Sequence, residues 1–230
     1  QHFEEAASGS IIFSAHGVPP SFHARAQARG LKILDTTCPF VYDIHDEASV
    51  ALAGGAHLVF IGDPHHREVA GYTRDLDPRR FHILMTVEEA RAIDWSRYSK
   101  VKIFYQTTLN ADDFEDPARH IEQQVLATRA DTICYATKEN QEAAHELGRD
   151  PEIGLILVIG GTRSANTRHL WEICARSKPS HLIQGAEDID PAWFEGVRVV
   201  GITAGASTPD YVVDEVEAAI VRLASPGGPA

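Results

Sequence analysis

The stretch LILVIGGTRSAN, Leu155 to Asn166, sets five apolar residues against two glycines and a polar run that opens a helical pattern. Five apolar residues without polar alternation describe a strand buried on both faces, as in a parallel sheet. Gly160 and Gly161 let backbone come close to a ligand, and Ser164 and Asn166 can donate hydrogen bonds to it. A helix starting here turns free N–H groups and the positive end of its dipole toward an anion. The loop resembles a phosphate cradle, without the spacing of a Walker A or dinucleotide-binding glycine motif.

Outward from this stretch the same rhythm repeats. Apolar, β-branched runs at 11–14, 31–35, 57–61, 81–85, 101–106, 154–159, 181–184 and 197–203 read as strands. Ala-rich polar stretches at 21–29, 41–53, 111–128, 139–147, 166–177 and 209–224 read as helices. Strands alternating with helices predict an α/β architecture with mostly parallel sheets. The tail SPGGPA, 225–230, is bland by composition.

Nearly every polar motif falls where a strand ends and a helix begins, and open α/β sheets bind ligands outside the carboxyl ends of their strands. Ser14-Ala15-His16-Gly17 places a histidine there, ligand-facing or simply packed. In Asp35-Thr36-Thr37-Cys38-Pro39, Cys38 opens a helix whose free N–H groups favour a thiolate, the form that ligates iron. The plainer reading is a buried lone cysteine. Cys134, in Ile133-Cys134-Tyr135-Ala136-Thr137, stands in the same position with the same two readings.

Gly62-Asp63-Pro64-His65-His66-Arg67-Glu68 gathers two histidines and two carboxylates, enough for proton transfer or for a metal such as hydrolytic zinc. Gln106-Thr107-Thr108 offers hydroxyls ahead of a helix, for which capping is explanation enough. Thr203-Ala204-Gly205-Ala206-Ser207-Thr208-Pro209-Asp210 reads as strand, tight turn and helix, with a Ser207–Asp210 capping box and room for a ligand. Cys174 lies mid-helix on an apolar stripe and reads as core.

Composition narrows the classes. The 230 residues include 43% hydrophobic and 23% charged, ordinary for a globular protein able to bury a core. A formal net charge of −12 disfavours nucleic acid as a partner, since phosphate backbones need a basic footprint. No apolar run approaches the roughly 20 residues that span a bilayer, so no membrane partner is expected. Three widely spaced cysteines are not a disulfide framework and fit a reducing, cytoplasmic setting, with any upstream targeting segment out of view.

Singly these motifs are weak, but their order is specific. SAHG (14–17), TTCP (36–39), HHREVAG (65–71), QTTL (106–109), ICYAT (133–137), the loop 160–166 and TAGASTPD (203–210) together resemble the hydroxymethylbutenyl diphosphate reductases, the IspH or LytB family. The resemblance runs from about Ile11 to about Leu223. It implies three α/β lobes around a central pocket that holds a 4Fe–4S cluster on three cysteine thiolates. Cys38 and Cys134 match two of those cysteines. Glu68 matches the proton donor, acting through a relay that includes Thr107. His16 and His66 match diphosphate-binding histidines, and Ser164, Asn166 and Ser207 match the hydroxyl and amide donors to the diphosphate. The implied reaction removes the hydroxyl of an allylic diphosphate as water with two electrons from ferredoxin or flavodoxin, giving isopentenyl and dimethylallyl diphosphates.

The family's first cysteine and first diphosphate-binding histidine have no counterpart here, so an N-terminal segment is expected to be missing. With two matching thiolates, the chain is not expected to hold a stable cluster alone. Ala165 stands where a serine is usual, Arg67 and Tyr72 where proline and threonine are usual, and Lys138 where a neutral residue is commoner. By this resemblance, 1–37 with 216–230 form the remainder of an incomplete first lobe, 38–130 a second lobe and 131–215 a third. An incomplete lobe would expose a sheet edge and apolar surface. Two other functions compete: a diphosphate-binding paralogue that has lost the cluster, and a metal-dependent hydrolase using Asp63, His65, His66 and Glu68.

Overall fold

The computed structural model describes residues 8–109 and 114–224. The chain alternates strand and helix: β1 Ser10–Phe13, α1 Pro20–Ala28, β2 Lys32–Asp35, α2 Pro39–Ala53, β3 His57–Ile61, α3 Arg67–Thr73, β4 Phe81–Leu84, α4 Val87–Arg91, β5 Val101–Tyr105, α5 Glu115–Gln124 and β6 Ala127–Arg129. It continues with α6 Tyr135–Arg149, β7 Leu155–Ile159, α7 Ala165–Ala175, β8 Ser180–Ile183, β9 Val200–Ala204 and α8 Asp210–Ala224. Two compact units result. One holds the residues up to Thr107 and the stretch ending at Ile133; the other holds Thr108, Leu109 and the chain from Cys134 onward.

The first unit contains a parallel pair, β1-β2, and a four-stranded parallel sheet in the order β4-β3-β5-β6. All five residues of β3 are buried, as a strand covered on both faces requires. Leu58 and Phe60 meet Val41, Ile44 and Ala48 of α2, with Tyr72 and Phe104 closing the cluster. The chain leaves β3 toward β4 on one side and leaves β5 toward β6 on the other. The switch point therefore lies between β3 and β5, and the crevice outside their carboxyl ends is where such sheets take ligands.

The second unit repeats the logic with three parallel strands in the order β8-β7-β9. All of β7 is buried. Its Ile156 and Val158 pack with Leu170, Ile173 and Cys174 of α7, while Leu155, Leu157 and Ile159 pack with Ile183 and Val216. Each such aliphatic side chain contributes about 1.5–3 kcal/mol on full burial. Here the switch point lies between β7 and β9, so the loops after these two strands flank one crevice.

Several elements differ from the sequence expectation. The helix expected over 111–128 is α5, shorter, and its last expected residues belong to β6, whose three residues are too few to show a period. Its expected start at Ala111 and the tail 225–230 lie outside the described residues. The seven-residue α3 was not anticipated, and α6 starts four residues earlier than expected. Ile12 and Leu34, partners in the β1-β2 register, are 67% and 43% exposed, an apolar pair on the open face of that small sheet.

A histidine cluster sits at the amino end of β3. His57 stacks on Tyr98 with ring centres 3.9 Å apart and lies 4.8 Å from the ring of His82, whose Nε2 pairs with the Tyr98 hydroxyl at 2.9 Å. Only 6% of His57 is exposed and its Nε2 has no partner. Burial, with His82 beside it, pushes its pKa from 6.5 down to about 4. The folded pKa lies below the unfolded one, so the unfolded chain takes up the proton first as pH falls. Stability is therefore full above pH 6.5 and declines as the pH approaches 4. Urea melts at pH 7 and pH 4.5 are expected to differ by about 2 kcal/mol from this site, and His57→Phe should remove that share of the difference.

Candidate functional site

The crevice between β3 and β5 is built around Glu68. Residues Gly62–His66 leave β3, turn through an Asp63 carboxylate that accepts from the His65 N–H at 2.8 Å, and deliver Glu68 to the first turn of α3. Glu68 is 2% exposed. Its Oε1 accepts from the Tyr72 hydroxyl at 2.7 Å and from the Thr107 N–H at 2.7 Å, and its Oε2 accepts from the Thr107 hydroxyl at 2.8 Å. The two strand-end loops are stitched together by this carboxyl and by Gln106, whose Oε1 accepts from the Asp63 N–H at 3.1 Å. Thr107 is thus no simple helix cap; it is the hydrogen-bond partner of a buried carboxyl.

His66 lies beside this carboxyl, half-buried, with its Nδ1 buried and unpartnered. Burial lowers its pKa, opposed by Glu68 and assisted by His16. A neutral imidazole there still offers one N–H to an oxyanion. His16 is exposed, and its ring centre stands 5.6 Å from that of His66. The structure therefore brings together His16, His66, Glu68 and Thr107, four residues from three motifs. Cys38 belongs to the same unit. It precedes α2 as N-cap, is half-buried and free, and its N–H donates to Ala15 O at 3.0 Å, which holds the cysteine loop against the His16 loop.

The second unit builds its crevice from the loops after β7 and β9. Gly160 has φ +149°, and a Cβ there would press on Thr167 Oγ1 at 2.7 Å and Thr208 Oγ1 at 2.8 Å. A Cβ on Gly205 would collide with the same Thr167 hydroxyl. The glycines are required because these two threonines fill the floor. Thr208 donates to Ile159 O at 3.0 Å, tying the β9 loop to the end of β7. Ser164 caps α7, accepting from the Thr167 N–H at 3.3 Å. Asn166 is 7% exposed, and neither its Nδ2 nor its Oδ1 has a partner. Ser207 is exposed on the facing loop. Cys134 is the N-cap of α6, half-buried and free, while Cys174 is fully buried and burial pushes its thiol up to about 11.

Asp63, His65, His66 and Glu68 do not form a metal-binding group. Among the described residues, no three His, Cys, Asp or Glu side chains gather as a metal-binding group. None of the described helices is long and apolar enough to cross a membrane.

Sequence comparison gives the family of the chain. The model of the LytB protein family matches residues 1–221. The chain belongs to the LytB family. Its LytB relatives include the 4-hydroxy-3-methylbut-2-enyl diphosphate reductase of Bordetella pertussis, 38% identical over 218 residues, which are 93% of this chain and 66% of that protein. The enzyme of the same name from Actinobacillus pleuropneumoniae is 37% identical over 94% of this chain and 70% of its own length. Two solved reductase structures share the α/β fold. One, described as the terminal enzyme of the non-mevalonate pathway, is 34% identical, with a TM-score of 0.64 over 92% of this chain and 75% of its own. The other, from Plasmodium falciparum, is 25% identical with a TM-score of 0.86 over 98% of this chain and 70% of its own. The chain thus spans about two thirds of the length of these relatives.

Tyr72 is the contributor that motif reading missed. The signal was present: Glu68 and Tyr72 are four apart, and on a helix such residues lie on one face.

Proposed function

We propose that this chain carries the substrate-binding and proton-delivering residues of a 4-hydroxy-3-methylbut-2-enyl diphosphate reductase, an oxidoreductase of isoprenoid precursor biosynthesis that works in the cytoplasm. The observation that carries the reading is the buried Glu68 carboxyl held by Thr107 at the switch point of its sheet. A carboxyl buried among donors, facing a hydroxyl that can both accept and donate, is the arrangement of a proton relay. Ser164, Asn166 and Ser207 would hold the diphosphate, with His16 and His66 adding N–H donors. This donor set needs no large basic content, in keeping with the net charge of −12.

The thiols fit a 4Fe–4S cluster by chemistry: Cys38 and Cys134 are free, half-buried and stand at helix starts, where thiolates are favoured. Those two residues would hold it, and Cys174, locked in the core, would not. The cluster would supply the electrons, drawn from ferredoxin or flavodoxin, and a Lewis-acidic iron for the allylic hydroxyl. The protein's part is to hold the diphosphate, exclude water and move one proton from Glu68 through Thr107.

Calorimetric titration tests the reading. The purified chain should bind the hydroxymethylbutenyl diphosphate at least 100-fold more tightly than the corresponding alcohol; equal binding of the two would sink it. A second reading, a diphosphate-binding paralogue without a cluster, is favoured by one observation: only two of the three thiols are accessible. Anaerobic loading with iron and sulfide, in the presence of an added thiol as third ligand, separates the two. Cluster absorbance lost in Cys38→Ala and Cys134→Ala but kept in Cys174→Ala supports the reductase. Diphosphate binding without any iron uptake supports the paralogue.

A further inference from the structure

We propose that Tyr72 is a positioning residue that decides which oxygen of Glu68 carries the transferable proton, a role that rests on the reductase reading above. The two carboxyl oxygens are not equivalent. Oε1 accepts twice, from the Tyr72 hydroxyl and from the Thr107 N–H, both at 2.7 Å. Oε2 accepts once, from the Thr107 hydroxyl at 2.8 Å. A backbone N–H can only donate. The Tyr72 hydroxyl is held to donating by its surroundings: it is buried, and among the described residues Glu68 Oε1 is its hydrogen-bond partner, so turning to accept would strand its own proton. Two fixed donors on Oε1 leave no room there for a proton on the carboxyl.

Whenever Glu68 is protonated, the proton therefore sits on Oε2, toward the Thr107 hydroxyl. Among the described residues, that hydroxyl is the donor on Oε2, and it can reverse its hydrogen bond to receive the proton. It accepts the proton of Oε2 as its own proton moves onward, and Glu68 is left as a carboxylate with both Oε1 donors unchanged. Tyr72 thus gives the relay a direction without touching substrate.

The ring is held for this task. Tyr72 is 4% exposed, stacks on Phe60 with ring centres 5.8 Å apart and meets the edge of His45 at 5.2 Å. The spacing of four residues on α3 sets its hydroxyl over the Glu68 carboxyl.

The test uses the 230-residue chain with carbon-13 glutamate and infrared difference spectra, Glu68→Gln assigning the Glu68 bands. Tyr72→Phe keeps the ring and removes one donor from Oε1, leaving one donor on each oxygen. The antisymmetric and symmetric carboxylate stretches of Glu68 should move closer together. A separation identical to that of the parent overturns the proposal, because a tyrosine that served only packing would leave the bands in place.

A second measurement needs no Tyr72 variant. In Glu68→Gln the amide carbonyl should take the Oε1 side, so that the NH2 protons show nuclear Overhauser contacts to the Thr107 side chain. Contacts to the Tyr72 ring in their place overturn the proposal. The diphosphate titration described above judges the reductase reading separately. Diphosphate binding with unmoved bands removes Tyr72 alone, whereas moved bands in a chain with no diphosphate preference remove the relay that Tyr72 is proposed to direct.

Discussion

Glu68→Gln should leave the chain folded and, in a cluster-loaded reductase whose N-terminal segment supplies the third thiolate, lower turnover by about 10²–10⁴-fold, the usual range for loss of a positioned proton donor. Folding survives because the amide reproduces the hydrogen bonds that the site needs. Its carbonyl can take the Oε1 place and accept from Tyr72 and the Thr107 N–H, which are 2.7 Å away. Its NH2 then meets the Thr107 hydroxyl, which turns to accept. The variant is a permanent copy of the protonated carboxyl with no proton to give. Stability within about 1 kcal/mol of the parent is expected, since no buried polar group is left alone. Diphosphate affinity should hold, because the donors assigned to the diphosphate are other residues. The measurement is turnover with a reduced electron donor alongside thermal melts and diphosphate titration. Turnover within threefold of the parent would remove Glu68 from proton delivery. Thr107→Val should reproduce part of the loss, and should also destabilise, because it strips Oε2 of its donor while the carboxyl stays buried.

The α/β architecture and family were legible in the sequence for a plain physical reason. Strands buried on both faces, such as 57–61 and 155–159, are continuous apolar runs, and the loops that follow them carry the chemistry. The positions of Cys38, Glu68, Cys134 and Ser164 at strand-to-helix junctions came with that pattern. What sequence alone left open was partnership. Thr107 read as a cap, yet it serves Glu68 across 39 residues of chain, and no local period reports such a contact. Tyr72 read as a departure from its family and proves to be the third donor to the same carboxyl. In the second crevice, Gly160 and Gly205 read as room for a ligand. The structure gives them a more specific cause, since Thr167 and Thr208 occupy the space a side chain would need. Strand β6 escaped because three residues at the end of a helical stretch carry no alternation.

Asn166→Leu should make the chain no less stable and weaken its hold on a diphosphate by about 10–100-fold. The argument begins with an unpaid obligation. Asn166 is 7% exposed, and both ends of its amide lack partners. A buried polar group left unsatisfied costs about 1–3 kcal/mol, so the ligand-free fold carries this side chain at a loss. Leucine keeps the branching at Cγ and the heavy-atom count and has no polar atoms, and the melting temperature of the free variant is expected to stay level or rise. The oxygens of a diphosphate supply the acceptors that the Nδ2 group lacks, and removing that donor forfeits about 1.4–3 kcal/mol of binding. Asn166→Asp should be worse still. It would set an anion against an anion at a helix start, in a site too buried for water to screen the repulsion. Paired melts with and without ligand report both effects at once. A ligand at 100 times its dissociation constant stabilises the parent by about 2.7 kcal/mol, and that increment should shrink in each variant. A leucine variant that melts well below the parent while binding diphosphate undiminished would make Asn166 a structural amide. The opposite pattern, stability kept and affinity lost, is what distinguishes a group held ready for a ligand from one held for the fold.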